Sequence, residues 1–317
     1  MTQWSDSVTI YSAPQALLDF RRSLIDAWLA GRTQRTRDAY AYDAGYFAAW
    51  LGSPTSEDAA RHLLSLPLGD ANGLVLAWRN WMRDEGHLAP ATINRRLAAI
   101  SSMVKLGRTL GLIVWSLEVP HVKSARYRDT RGPGSAAVHE MVHQTVGITE
   151  AAVRSRALQH LLYDLGLRRD EALSRDWTHF DSADHLLTVR RKGHTEDTLM
   201  HLPDPTFAAL SELRLVRGIP SSGPIFVSVD RVHPGHRLTG ESARLIVRDA
   251  GKRAGIEKAV RPHGLRHAAI TEVLEVTGGN VRAAQRFSGH ADFKVLVRYD
   301  DNRADIQGEM ADLIAIP

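Results

Sequence analysis

RPHGLRHAAITEVLEVTGGNVRAAQRFSGHADFKVLVRYD, residues 261–300, is the stretch on which the fold and chemistry of this chain turn. His263 and Arg266 open a helical pattern whose apolar positions are Leu265, Ile270, Val273 and Leu274. Residues i and i+3 share a helix face, so these two side chains can address one anion. Gly278-Gly279 and Gly289 read as helix stops. His290 follows the second stop, and Asp292 caps a short helix that ends with Tyr299. The segment thus offers a nucleophile, two phosphate-binding donors and a cation. Each residue alone has an ordinary structural explanation as a helix-start residue, a cap or a half-buried ring. The set gains meaning only if the rest of the chain supplies what it lacks.

Upstream, Gly166-Leu167-Arg168 leads into a helix start with Glu171 at i+3. Residues 186–190 and 198–202 are apolar and β-branched and flank Lys192-Gly193-His194-Thr195, which predicts a β-hairpin with Lys192 at its tip. Arg169 competes with Arg168, and Arg190 and Arg191 compete with Lys192. The Gly-Leu-Arg context with Glu171 favours Arg168. An arginine holds its proton too tightly to donate it, which favours Lys192. The remaining histidines show no tight ligand spacing, so no metal site is expected.

Further toward the N-terminus the chain is helical. Apolar spacing predicts helices over 13–30, 33–51, a short segment from Ser56, 70–85 and about 92–110. Gly31 and Gly52 are the stops of the first two. Tyr40, Tyr42, Tyr46, Phe47 and Trp50, then Leu74, Leu76, Trp78 and Trp81, fall on the expected inner faces and read as core. Breakers at Pro120, Gly132, Pro133 and Gly134 change the character of the chain and mark the expected division: a helical module over 1–125, a basic linker over 126–135 and a second module over 136–317. The second module is predicted as helices over 136–146, 149–165, 205–216 and 240–254. Closing helices start near Pro262, Asn280 and Asp292, and 224–227 is a short edge strand.

A chain of 317 residues suits two such modules, and 44% hydrophobic content allows each a core. With no cysteine, disulfides, cysteine–zinc sites and cysteine nucleophiles are excluded. The start, MTQWSDSVTI, lacks a basic region followed by an apolar run, and no apolar run is long enough for a membrane span. The expectation is a cytoplasmic protein with no membrane partner. Net charge is +4, but between Arg95 and Arg131 eight Lys or Arg face two acids. Arg95, Arg96, Lys105, Lys123, Arg126 and Arg128 from this run, with Arg190 and Arg191, are the candidate contacts to a polyanion such as DNA. A solvated helix face and an ordinary soluble linker explain the same charges.

Gly166-Leu167-Arg168 with Glu171, Lys192-Gly193, His263-Gly264-Leu265-Arg266-His267, Ser288-Gly289-His290 and Tyr299 occur in one order across more than 130 residues. In that order and context the chain resembles the tyrosine recombinases, the phage integrase family. The resemblance implies a mainly α fold: a helical, SAM-like core-binding domain, then a mostly helical α/β catalytic domain with a small β-hairpin or sheet. It implies that Tyr299 attacks a DNA phosphodiester to give a 3′-phosphotyrosyl link and a free 5′-hydroxyl. Arg168 and Arg266 would bind the phosphate oxygens and Lys192 would protonate the leaving oxygen. His263 would move the tyrosine proton, and His290 would hydrogen-bond the phosphate. No cofactor is implied, because the covalent link conserves the bond energy. The implied partners are double-stranded DNA with specific sites and further copies of the chain, a dimer per site and a tetramer in synapsis.

Two departures stand out. The family more often has Gly before the hairpin Lys, where this chain has Arg191. The residues after Tyr299, Asp300-Asp301-Asn302-Arg303, are more acidic than expected beside DNA. Residues 306–316 read as an amphipathic helix that would dock on another subunit. Deleting 305–317 without loss of cleavage or DNA-bound oligomerisation would sink that idea. The same catalytic set would also serve a type IB topoisomerase, which relaxes any supercoiled plasmid as a monomer. A catalytically silent DNA-binding regulator is the third reading, against which stands a full complement of catalytic residue types.

Overall fold

The computed structural model describes residues 23–123, 132–191 and 196–290. The first part of the 13–30 helix, most of the basic linker, the hairpin tip with Lys192, the helix from Asp292 and the 306–316 tail lie outside the described residues, as do Arg126, Arg128 and Tyr299. The chain divides into two compact units, Met1–Arg126 and Tyr127–Pro317.

The first unit is a bundle of five described helices: α1 (Leu24–Leu29), α2 (Gln34–Leu51), α3 (Ser56–Ser65), α4 (Leu68–Asp84) and α5 (Pro90–Thr109). Their ends follow from local chemistry. Gly52 terminates α2 at φ 71°, the left-handed conformation that frees its N–H to bond back to the last turn. The Thr55 hydroxyl caps α3 by accepting from the Asp58 N–H. Pro90 opens α5, where its missing N–H costs no helical bond. Glu57 of α3 accepts from the N–H groups of Leu24 and Ile25 at 3.1 and 3.0 Å. A carboxylate therefore sits on the positive end of α1 and joins the two helices.

The core of this unit centres on Trp78, Phe47, Leu63, Met82 and Ile100, all fully or almost fully buried. Trp78 meets Phe47 edge-on, with ring centroids 4.9 Å apart. Tyr40, Tyr46, Trp50, Leu74 and Trp81 pack against that core as partly buried residues. Tyr42 and Leu76 do not: both are exposed, because each falls one step outside its helix's inner stripe.

Arg96 corrects the sequence reading in the opposite direction. It shares a face of α5 with Ile93 and Ile100 and is only 4% exposed. Its Nε lies 3.6 Å from Oδ1 of fully buried Asp43, and its guanidinium lies 3.5 Å from the Tyr46 ring centroid. The side chain is an internal counter-ion rather than a surface contact for a polyanion. Arg95, one step round the helix, is exposed but also donates to Asp43. Burial is the largest influence on the Asp43 carboxyl and raises its pKa, against the lowering pull of Arg95 and Arg96.

The second unit is built on α7 (Glu150–Tyr163), which follows α6 (Ser135–His143). Val153, Ala157, Leu158, Leu161 and Leu162 of α7 are completely buried. Around it pack the short α8 (Arg169–Leu173), α9 (Asp204–Val216), α10 (Gly240–Arg253) and α11 (Pro262–Val276), and α12 (Val281–Ser288) packs on α11 through Ile270, Leu274 and Ala284. The predicted hairpin is present as β2 (Leu186–Arg190) antiparallel to β3 (Asp197–His201), with Arg190 opposite Asp197. A third strand, β1 (Phe180–Asp181), completes a sheet in the order β1-β2-β3. Leu187 and Val189 of β2 are buried while Arg190 is exposed, the alternation of a half-covered sheet.

The expected edge strand over 224–227 is not one. It makes only isolated bridges, Asp176 to Pro224 and Val227 to Arg237. Pro224 has no N–H to give a ladder, and the Ile225 N–H goes to the Arg175 carbonyl instead. Arg175 in turn joins α8 to the sheet: its Nε donates to the Glu171 carbonyl at 3.2 Å and its Nη1 to the Thr188 carbonyl at 3.0 Å. No described helix is long and apolar enough to cross a membrane.

Replacing Arg96 by Ala strands the buried Asp43 carboxylate on one partner and removes the contact with Tyr46. The expected loss is about 1–3 kcal/mol of stability in the first unit, read as a lowered midpoint of urea unfolding.

Candidate active site

Four of the six predicted catalytic residues lie among the described residues, and the second unit brings them together through one buried guanidinium. Arg266, on α11, is 1% exposed. One of its Nη nitrogens donates to the Gly166 carbonyl and the other to the Ser288 carbonyl, the latter at 2.7 Å. Gly166 lies 100 residues upstream and Ser288 is the last residue of α12. Arg266 Nη1 also lies 3.9 Å from Oε2 of Glu171, which is 5% exposed.

The Gly166-Leu167-Arg168 turn is placed by backbone requirements. Gly166 has φ 55°, and a Cβ there would come within 2.6 Å of the Phe287 ring. Left-handed backbone and a crowded neighbour both demand glycine. Leu167 is buried, and Arg168 is the N-cap residue of α8. Glu171 reaches back to accept from the Arg168 N–H at 2.9 Å and from Arg168 Nη1 at 2.7 Å. A single carboxylate is therefore bracketed by both arginines. The Arg168 side chain remains 26% exposed.

His290 follows Gly289, whose φ of 62° ends α12. Its Nε2 lies 3.4 Å from Arg266 Nη2, and its Nδ1 lies 2.8 Å from the Ser288 hydroxyl. Burial first, then the charges of Arg266 and Arg168, hold its pKa down to about 4. His263 stands at the open N-terminal end of α11. Partial desolvation, followed by the Arg266 and Arg168 charges, also lowers its pKa. Both rings are therefore neutral near pH 7, able to accept or donate a single proton.

A cavity of about 290 Å³ adjoins these residues and is lined by Arg168, Arg169, Asp170, Arg244, Arg261 and His263. The sequence reading passed over Arg244 and Arg261 and used Arg169 only as a rival to Arg168. Arg169 pairs with Asp170 at 2.7 Å and Arg244 with Glu241 at 2.8 Å. Arg261 is exposed and has no ion-pair partner among the described residues. Its position directly before Pro262-His263 was the available signal. Arg244, one of four basic residues on an amphipathic helix, gave none.

The expected basic contacts separate into two groups. Lys105, Lys123 and Arg190 are exposed, Arg190 in a pair with Asp197 at 2.8 Å. Arg191 is 6% exposed, which corrects its assignment as a surface contact. Its Nη2 donates to the Phe287 carbonyl at 2.8 Å, and its guanidinium packs where a Gly289 side chain would stand. It ties the end of β2 to the C-terminus of α12, where unpaired carbonyls and the negative helix end favour a cation.

The profile of the phage integrase family matches residues 137–305. A tyrosine recombinase of Synechococcus elongatus is 37% identical over 290 residues, covering 90% of each chain. One of a Synechocystis strain is 32% identical, covering 96% of this chain and 98% of that one. This chain belongs to the phage integrase family. It is a tyrosine site-specific recombinase. Among solved structures, the Tn1549 transposon integrase in complex with transposon right end DNA matches with a TM-score of 0.66 at 14% identity, over 92% of this chain and all of that one. A lambda integrase dimer bound to a core site matches with a TM-score of 0.62 at 16% identity, over 92% of this recombinase and 82% of that chain. These two likenesses establish the shared, mostly helical fold.

The low pKa of His290 sets a stability window. Its ordinary value is 6.5 and its folded value about 4. Between these values the unfolded chain binds the extra proton, so stability falls as pH drops from about 6.5 to about 4 and this contribution is constant above. Histidine NMR titration of the recombinase is expected to show His290 still neutral at pH 5. A titration near 6.5 would contradict the site geometry.

Proposed function

We propose that the recombinase cleaves and rejoins double-stranded DNA at specific sites through Tyr299, with Arg168, Lys192, His263, Arg266 and His290 as its catalytic set. The observation that carries the assignment is the bracketing of Glu171 by Arg168 and Arg266, with neutral His290 on the same guanidinium. The Tyr299 oxygen attacks the scissile phosphorus and the bond to the 5′-oxygen breaks. A 3′-phosphotyrosyl link forms and a 5′-hydroxyl leaves. His263, neutral and close to the arginines, assists removal of the tyrosine proton. Lys192 returns a proton to the leaving oxygen. The reverse sequence, with a 5′-hydroxyl from a partner strand, rejoins the DNA.

The two arginines divide the electrostatic work. Arg266 has both Nη nitrogens engaged by carbonyls and acts as a fixed positive floor. Arg168 is the guanidinium open to solvent and contacts the non-bridging oxygens that gain charge in the transition state. Arg169, Arg244 and Arg261 line the neighbouring cavity and suit the adjacent phosphates of the same strand. In the first unit, Arg95, Lys105 and Lys123 are exposed and suit the backbone further out; Arg126 and Arg128 complete the basic run in sequence. The helical first unit acts as the core-binding domain. Because exchange needs two sites, the working form is an oligomer on DNA, a dimer per site and a tetramer when sites pair.

The test uses a duplex selected from random sequence by binding to the full chain, nicked beside the scissile phosphate so that cleavage traps the covalent complex. Wild type is expected to give a covalent protein–DNA adduct that is absent in Tyr299→Phe. Arg266→Ala should reduce its rate about a hundredfold or more. An adduct persisting in Tyr299→Phe overturns the nucleophile assignment. Relaxation of arbitrary supercoiled plasmid by the monomer would favour the topoisomerase reading instead. Arg261→Ala should lower the slope of log binding constant against log salt by about 0.9.

A further inference from the structure

Ser288 is fully buried, yet it carries a hydroxyl within reach of two different partners. Its Oγ lies 2.8 Å from His290 Nδ1 and 3.5 Å from the Gln285 carbonyl. Its own carbonyl accepts from Arg266 Nη2 at 2.7 Å, so backbone and side chain of this residue face the site together. On the other side of the imidazole, His290 Nε2 faces Arg266 Nη2 at 3.4 Å. A guanidinium has no lone pair to give, so Nε2 must be the acceptor in that contact. In the structure as it stands the ring proton is then on Nδ1, and the Ser288 oxygen accepts it. The hydroxyl hydrogen is left for the Gln285 carbonyl.

A phosphate oxygen requires the opposite arrangement. It is an acceptor, so His290 can hydrogen-bond it through Nε2 only with the proton on Nε2. Nδ1 is then a bare lone pair in a partly buried position and needs a donor. The Ser288 hydroxyl both donates and accepts. Rotation of that one O–H from the Gln285 carbonyl to Nδ1 supplies the donor without moving a heavy atom.

We propose that Ser288 is a positioning residue that partners Nδ1 of His290 in both neutral tautomers. It accepts from Nδ1–H when the site is free and donates to Nδ1 when a phosphate oxygen takes the proton on Nε2. The inference rests on the reading of His290 as a phosphate ligand. It adds a residue that touches neither DNA nor the reacting atoms. No charge needs to cross the site, because the change is between two neutral tautomers.

The nicked duplex described above tests it in four proteins: wild type, Ser288→Ala, His290→Ala and the double variant. Loss of one hydrogen bond to the ring should slow covalent adduct formation by Ser288→Ala about three- to tenfold. His290→Ala should be slower, and the double variant should be no slower than His290→Ala, since Ser288 acts only through the ring. Ser288→Thr, which keeps the hydroxyl, should recover most of the rate. Ring-nitrogen spectra of histidine-labelled free protein give a second readout. Wild-type His290 should show one protonated nitrogen, Nδ1, and Ser288→Ala should shift the Nδ1 signal, because its proton loses its acceptor while Arg266 still faces Nε2. If His290→Ala cleaves like wild type, the reading of His290 fails. If His290→Ala is slow but Ser288→Ala is not, the inference about Ser288 fails. It also fails if the two losses multiply in the double variant, or if the His290 nitrogens are unchanged in Ser288→Ala.

Discussion

A charged guanidinium with 1% of its surface exposed is the constraint on which the second unit of this recombinase depends. Burying Arg266 is costly unless its donors are met. Its Nη donors are met from two other parts of the chain: the 166–171 turn, with the Gly166 carbonyl and, at longer range, the Glu171 carboxylate, and the end of α12, with the Ser288 carbonyl. The requirement therefore folds three segments onto one point. Gly166 can approach because it has no side chain to meet Phe287. Glu171 can approach because it closes the first turn of α8 on Arg168. The α12 terminus can approach because Gly289 turns the chain away at positive φ.

The same arrangement sets the chemistry. In the proposed reaction positive charge is concentrated where a phosphate gains negative charge, and the nearby histidines are kept neutral by burial first and by that same charge second. The residues that stabilise the fold and those that tune the site are one network. Arg191 adds a second cation on the α12 carbonyls and ties the sheet to this end of the helix. The first unit shows the same logic in simpler form, where Asp43 and Arg96 are buried as mutual counter-ions against Tyr46.

Much of this was legible in the sequence because helices announce themselves by period and by their stops. Gly52 and Gly289 end helices where the pattern placed them, while the helix expected from about 92 begins earlier, at Pro90. Order and spacing were enough to name the family and to put forward Arg168, His263, Arg266 and His290 as candidates. Burial of charged residues was not legible. Arg95 and Arg96 are adjacent and chemically identical in the sequence, yet Arg95 reaches Asp43 from an exposed position and Arg96 is buried against it. Arg190 and Arg191 divide in the same way across a strand. A one-residue step reverses the face of a strand and turns a helix by about 100°, and only packing fixes which face is inside. The segment 224–227 looked like a strand for its apolar content, but Pro224 and the pull of the Arg175 carbonyl left it as isolated bridges.

By itself the sequence determined the helical character, the glycine stops, the absence of cysteine chemistry and the residue types available to the candidate site, because these follow from local propensity and from composition. Tertiary structure alone decided which arginines are internal, that Glu171 is shared by two of them, and that Ser288 stands behind His290. Those facts depend on contacts spanning up to 100 residues. A buried charge or hydroxyl takes its partner from whatever the fold brings within hydrogen-bonding distance, and no local pattern encodes that distance.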